Sequence, residues 1–242
     1  MRPHRTAALV TLVALPVLLL TGCGLGPATT FTEDVALTGD VRTVAVDSGS
    51  GDVTVRHDPA AAEPRLVRRV QYRGTAPGAT SRQDGDRLAL DGCPGSCSVD
   101  YELTLPDPDA AVTGVLGSGD AEISGVATVD LELGSGGTRL RDVTGPVTLD
   151  VGSGDVRGEG LSGDADVESS SGTVRLAFAV PASARVRASS GDVEVTVPRA
   201  DYAVAATTGS GEVRDGVGTT PGAPHTLDLG TGSGDVVLGF GG

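Results

Sequence analysis

Apolar and polar residues alternate through much of the second half of the chain. Val129-Asp130-Leu131-Glu132-Leu133, Val147-Thr148-Leu149-Asp150-Val151 and Val193-Glu194-Val195-Thr196-Val197 each put every apolar side chain on one face. A period of two rich in β-branched residues predicts half-buried strands, and nothing beyond the N-terminal segment sustains a helical period. Val174, Leu176 and Phe178, and later Val236, Leu238 and Phe240, extend the same inward stripe.

The strands are punctuated by a recurring turn of Ser, Gly and, in most copies, an acid. Its copies are Ser50-Gly51-Asp52, Ser118-Gly119-Asp120, Ser135-Gly136-Gly137, Ser153-Gly154-Asp155, Ser171-Gly172-Thr173, Ser190-Gly191-Asp192, Ser210-Gly211-Glu212 and Ser233-Gly234-Asp235. From Ser118 onward the intervals are 17, 18, 18, 19, 20 and 23 residues, and a fixed period near 20 marks a repeat architecture. Weaker turns at Thr144-Gly145-Pro146 and Ser162-Gly163-Asp164 divide the unit into two strand-and-turn halves. One such unit cannot bury its apolar face alone, whereas stacked units can, each strand bonding to its copy in the next coil. The expected fold is therefore all-β: a single-stranded, β-helix-like β-solenoid with coils of about 18–20 residues. Six intervals at about 4.8 Å predict a rod roughly 29 Å long. Glycine at each corner supplies positive φ, and the following acid is expected to project outward beside its neighbours. A Gly/Ser linker would not carry phased Val and Leu.

The chain divides into four expected segments: 1–22, a signal peptide; 23–32, a flexible linker; 33–110, an irregular N-terminal β portion or cap; and 111–242, the regular repeats. In the cap, Val41 to Val46 leads through the Ser50 corner into Val53-Thr54-Val55, and the stretches Asp58–Pro64 and Gly74–Asp86 read as loops. At the N-terminus, Arg2 and Arg5 precede an apolar run from Ala7 to Leu20, too short for the roughly 20 residues a membrane helix needs. Leu20-Thr21-Gly22-Cys23 resembles the lipobox of bacterial lipoproteins. That resemblance implies recognition through Leu20, Thr21 and Gly22, cleavage before Cys23, and diacylation of its thiol. Two acyl chains, each contributing about 0.8 kcal/mol per buried methylene, would hold the protein on a membrane through its N-terminal lipid. The expected location is extracytoplasmic.

Loss of Arg2 and Arg5 would take the formal charge from −14 to −16, and every mature cation but histidine is arginine. An acidic surface without a basic patch excludes nucleic acid as a partner. Composition rich in Ala, Gly, Val and Arg, without Lys, suggests a GC-rich bacterium. Two cysteines remain, Cys93 and Cys97, flanking the turn dipeptide Pro94-Gly95. Outside the cytoplasm they read as a disulfide; a free or redox-active pair is the alternative, weakened by the C-x-x-x-C spacing. No metal site is expected, since His57 and His225 are isolated.

Val99-Asp100-Tyr101-Glu102-Leu103-Thr104-Leu105-Pro106, followed by Gly117-Ser118-Gly119-Asp120 and its copies, resembles the bacterial putative-adhesin family of β-strand-repeat domains. The resemblance covers nearly all of the mature chain. It implies a β-helix-like fold in an envelope protein, and it brings no catalytic residues and no cofactor.

The expected function is a non-catalytic surface binding or scaffold module whose partner is an unidentified envelope protein or cell-surface ligand. A passive spacer and a β-helix enzyme acting on polysaccharide are the alternatives. Catalysis needs an acid and a base converging in a groove, whereas the acids here are spread one per corner. The G-G-x-G-x-D spacing of calcium-loaded β-rolls is not met. With no Trp, three Tyr and three Phe, the chain offers few platforms for stacking sugar rings. The threonines keep no single register, which argues against ice binding.

Overall fold

The computed structural model describes residues 27–241, so the lipobox and Cys23 lie outside the described residues. Every regular element described is a strand. In chain order these are β1 (Thr29–Val35), β2 (Thr43–Ser48), β3 (Val53–His57), β4 (Arg65–Tyr72), β5 (Ser81–Asp84), β6 (Arg87–Asp91) and β7 (Cys97–Leu105). The repeats supply β8 (Ala111–Ser118), β9 (Ala121–Ser124), β10 (Thr128–Ser135), β11 (Thr138–Arg141), β12 (Val147–Ser153), β13 (Val156–Leu161) and β14 (Ala165–Ser171). They continue with β15 (Val174–Phe178), β16 (Ala184–Ser190), β17 (Val193–Val197), β18 (Tyr202–Ser210), β19 (Val213–Asp215), β20 (His225–Ser233) and β21 (Val236–Phe240).

From β8 onward the strands alternate between two sheets. A front sheet of eleven strands runs β1-β4-β7-β3-β9-β11-β13-β15-β17-β21-β19, and a back sheet of ten runs β18-β20-β16-β14-β12-β10-β8-β2-β6-β5. Each repeat thus contributes a rung, one back strand and one front strand joined at a Ser-Gly corner. Successive rungs pair parallel and in register: Val129 sits beside Val147, Leu131 beside Leu149 and Leu133 beside Val151. Because the register preserves the alternation, the apolar sides of both sheets merge into one buried cluster. Val156, Val174, Val193 and Val236 from the front and Leu131, Leu149, Val167, Val186 and Leu229 from the back are all buried there. The corner opposite the serines is closed by apolar residues, with Val126, Val143 and Leu161 fully buried.

Stacking order and chain order part company at both ends. The back strand β16 pairs with β20, not β18, and β17 pairs with β21, so the last rung in sequence slots inside the one before it. The reason lies at Asp215. Its register partner is Leu238, which in turn neighbours the buried Val195. An inner rung with a carboxylate at that position would bury an unpaired charge, so the β18–β19 rung takes the end. There Asp215 accepts the amides of Val217 and Gly218, both at 2.9 Å. At the other end, the β6–β7 rung lies outside β2–β3.

Antiparallel strands finish the N-terminal end: β1 on β4, β4 on β7, and the β5–β6 hairpin. Two readings of the sequence change here. The stretch taken as flexible up to residue 32 is strand from Thr29, and the loop Gly74–Asp86 contains β5. The core of this end holds a charge that alternation did not flag. Arg68 is 8% exposed and donates to Glu33 at 2.7 and 2.9 Å, the carbonyl of Gly78 at 3.0 Å and the hydroxyl of Thr80 at 2.9 Å. Its guanidinium also sits 5.7 Å from the centre of the Phe31 ring. The buried Tyr101 hydroxyl lies 2.5 Å from the Thr80 carbonyl and 2.6 Å from that of Asp91. Burial pushes its pKa up to about 12, against smaller lowering effects from Thr80 and Arg68.

Candidate functional site

The Ser-Gly corners line up along one edge of the stack, in the order 50, 118, 135, 153, 171, 190, 233, 210. Each glycine amide donates to the serine carbonyl of the next rung, from Gly51 to Ser118 at 3.0 Å through Gly154 to Ser171 at 3.0 Å to Gly234 to Ser210 at 2.8 Å. Glycine is obligatory at these points. Gly154 has φ of +138°, and a Cβ there would stand 1.9 Å from the carbonyl oxygen of Gly136. Corners can therefore stack at strand spacing only without side chains.

The corner acids are exposed, apart from the half-buried Asp235, but one oxygen of each is engaged where the ladder continues. Asp52 accepts the amide of Asp120 at 2.9 Å, Asp120 that of Gly137 at 2.7 Å, Asp155 that of Thr173 at 2.8 Å, Asp192 that of Asp235 at 2.9 Å and Asp235 that of Glu212 at 2.9 Å. Where Gly137 and Thr173 replace the acid, the next rung has no such cap. Asp100, which the corner motif does not flag, heads the ladder by accepting the amide of Asp52 at 3.1 Å. Its rung has no Ser-Gly corner. The Cys93–Cys97 disulfide, Cα–Cα 5.7 Å, closes that turn instead, and the Ser50 hydroxyl donates to the Cys97 carbonyl at 3.2 Å. The corner serines from Ser118 onward are exposed, whereas Ser50 is half-buried.

The outer faces of the two sheets differ in charge. On the front, Arg139, Arg157 and Arg175 form an in-register row bounded by Glu122 and Glu194. The reading of an acidic surface without a basic cluster is corrected by this row, which no local motif announces. Yet its cations are matched: Arg157 contacts Glu159 at 2.6 Å, Arg175 contacts Glu194 at 3.1 Å and Arg139 lies 3.9 Å from Asp120. The hydrogen bond from Arg157 holds the Glu159 carboxyl below its ordinary range, helped by Arg141. On the back face, Glu132, Asp150 and Glu168 sit side by side in register, with Asp130 and Asp166 in the adjacent row. The arginines of its repeat strands are Arg185 and Arg187, of which Arg187 pairs with Asp228, and Arg82 and Arg87 stand exposed on β5 and β6 at its N-terminal end.

A depression of about 530 Å³ lies over the front sheet near its N-terminal end, lined by Arg65, Arg69, Asp52, Asp100 and Glu102 among others. Asp52 and Asp100 are ladder members already accepting backbone amides, which is a structural use of those carboxylates. Among the described residues, no group of three or more His, Cys, Asp or Glu side chains is placed to hold a metal ion.

The domain family described as Toastrack DUF4097 matches residues 34–238, almost the whole described fold. The chain belongs to that family. Among solved structures, this Toastrack chain is similar to a "putative adhesin" of Bacteroides fragilis, with 16% identity, TM-score 0.48, and 87% of this chain and 97% of the other covered. A "putative lipid binding protein" of Parabacteroides distasonis has 16% identity, TM-score 0.42, and 88% and 97% coverage. A "putative cell adhesion protein" of Clostridium sporogenes has 11% identity, TM-score 0.37, and 89% and 100% coverage. No curated protein matches the chain.

Proposed function

We propose that this Toastrack protein is a non-catalytic scaffold or binding module of the bacterial envelope, a β-solenoid held outside the cytoplasm by a lipid on Cys23. The observation that carries this reading is how its charged side chains are employed. The corner carboxylates accept amides of the next rung, and the arginines of the front row contact acids: Arg157 contacts Glu159 on its own strand and Arg175 contacts Glu194 on the next. Groups used in this way hold rungs together; they are not an acid and a base converging on a substrate. What the stack offers outward is a rigid surface with one acidic and one charge-balanced face, suited to docking an envelope protein or cell-surface ligand. Phosphate backbones gain little from the arginines of the front row, which already contact acids.

The anchor is tested by mass spectrometry of the N-terminal peptide from native membranes, where an acylated Cys23 is expected and an unmodified start elsewhere refutes it. For the module, residues 27–241 are incubated with cell-wall polysaccharides. Retention without release of reducing or unsaturated sugar is expected, and turnover overturns the non-catalytic reading.

A further inference from the structure

Two sheets that do not close on themselves have four edge strands, here β1 and β19 on the front and β5 and β18 on the back. An edge presents unpaired N–H and C=O groups, and proteins commonly guard it with charge or irregularity. Three of the four are guarded: β1 carries Glu33 and Asp34, β5 carries Arg82 and Asp84, and β19 carries Arg214 and Asp215. The longest, β18, is Tyr-Ala-Val-Ala-Ala-Thr-Thr-Gly-Ser over nine residues, with no charge and no proline.

Its open side can be located. The Tyr202 carbonyl accepts the amide of Thr220 at 2.7 Å and the Val204 amide donates to the Thr219 hydroxyl at 3.0 Å, so these groups point away from β20. Backbone direction alternates along a strand, so Ala206 and Thr208 present their N–H and C=O to the same open side. The loop that meets Tyr202 and Val204 covers only the first half of the strand. The core is open at this end too. Val213 is 42% exposed, although Val236 and Val193, its register equivalents in the two rungs below, are buried.

We propose that the β18 edge is a self-association surface, at which a second copy of this chain adds its own β18 antiparallel about a two-fold axis through Ala206. A two-fold axis sets each residue against its own copy or a near neighbour, so a charged edge would repel itself, and β18 alone among the four edges avoids this. In this register Ala206 pairs with Ala206 and Val204 with Thr208, giving about six backbone hydrogen bonds once Val204 is released from Thr219. The side chains that meet on the outer face are the small, exposed Ala205 and Thr207. The far end of the stack is closed by charged β1 and β5, so association stops at a pair and does not grow into a filament.

The test is sedimentation velocity on residues 27–241, which hold every described strand and the buried cluster between the sheets. The expected result is a reversible monomer–dimer equilibrium that tightens with added salt, because the net charge of −16, the −14 of the full chain less Arg2 and Arg5, repels at long range while the joined edge is neutral. Ala206→Pro removes an amide that no strand of the monomer uses. It should weaken the dimer at least tenfold and leave the thermal unfolding of dilute monomer unchanged. Should that variant fail to fold, Ala205→Lys with Thr207→Lys, which sets like charges opposite each other across the axis, should weaken it as much. A wild-type monomer at several hundred micromolar, dimers undiminished in these variants, or a monomer that captures an added extended peptide at this edge would each overturn the proposal.

Discussion

Replacing Gly154 with alanine should destabilise the fold by about 3–5 kcal/mol, and the contributions can be separated. At φ of +138° an L side chain is strained whatever room it has, which costs about 1–3 kcal/mol. The new Cβ would also lie 1.9 Å from the Gly136 oxygen and 2.7 Å from its carbonyl carbon. Both are backbone atoms that cannot swing aside, so the two rungs must part at this corner. Parting loosens the bond from the Gly136 amide to the Ser153 carbonyl, now 2.9 Å, and its neighbour in the ladder, at about 1 kcal/mol each. Gly39 supplies the control, since its φ is +66° but a Cβ there meets nothing within 4 Å. Gly39→Ala therefore measures strain without collision. Urea unfolding of residues 27–241, followed by far-UV circular dichroism, gives both values. If Gly154→Ala costs no more than Gly39→Ala, the corners are not stacked at strand spacing and the reasoning fails.

Other consequences are open to the same assay. Thr138 is fully buried with its hydroxyl unpartnered, between Ala121 and Val156 in register, so Thr138→Val should raise stability by about 1 kcal/mol; a lower urea midpoint would mean that the hydroxyl has a partner. Tyr101 keeps its proton in the fold until about pH 12, while the unfolded chain releases it near its ordinary value of about 10. Its contribution is therefore complete below pH 10 and is lost as pH rises from 10 to 12; Tyr202, also raised by burial, acts in the same direction. Urea midpoints at pH 9, 10 and 11 should fall, and less steeply in Tyr101→Phe; equal slopes would contradict the assignment. Reducing Cys93–Cys97 to two thiols opens only a short loop, so it should cost about 2 kcal/mol and leave the spectrum of the folded state intact.

The alternation of Val129 to Leu133 and the Ser-Gly corners made the strands, their inward faces and the corner edge readable in advance, because both are local properties of the chain. What stayed hidden depends on neighbours far away in sequence. The corners at Ser210 and Ser233 look alike, and the exchange of their rungs turns on Asp215, whose cost appears only when a rung covers it on each side. Arg68 reads as a surface residue until Glu33, Gly78 and Thr80 converge on it. The carboxylates of Asp120 and Asp155 read as idle because their acceptor role needs the amide one rung away. Likewise the arginine row on the front sheet comes from three residues 18 apart, aligned by the repeat and by no motif. Strand β5 was missed because Ser81-Arg82-Gln83-Asp84 has no apolar residue to signal burial.

Cross-linking of paired cysteines reads the stack most directly. Adjacent corners lie about 5 Å apart, within disulfide reach, and corners two rungs apart lie about 10 Å apart, beyond it. Oxidation should link Ser190→Cys with Ser233→Cys efficiently and leave Ser190→Cys with Ser210→Cys unlinked. The opposite pattern would restore chain order to the C-terminal rungs, and the failure of both pairs would show that the corners do not stack.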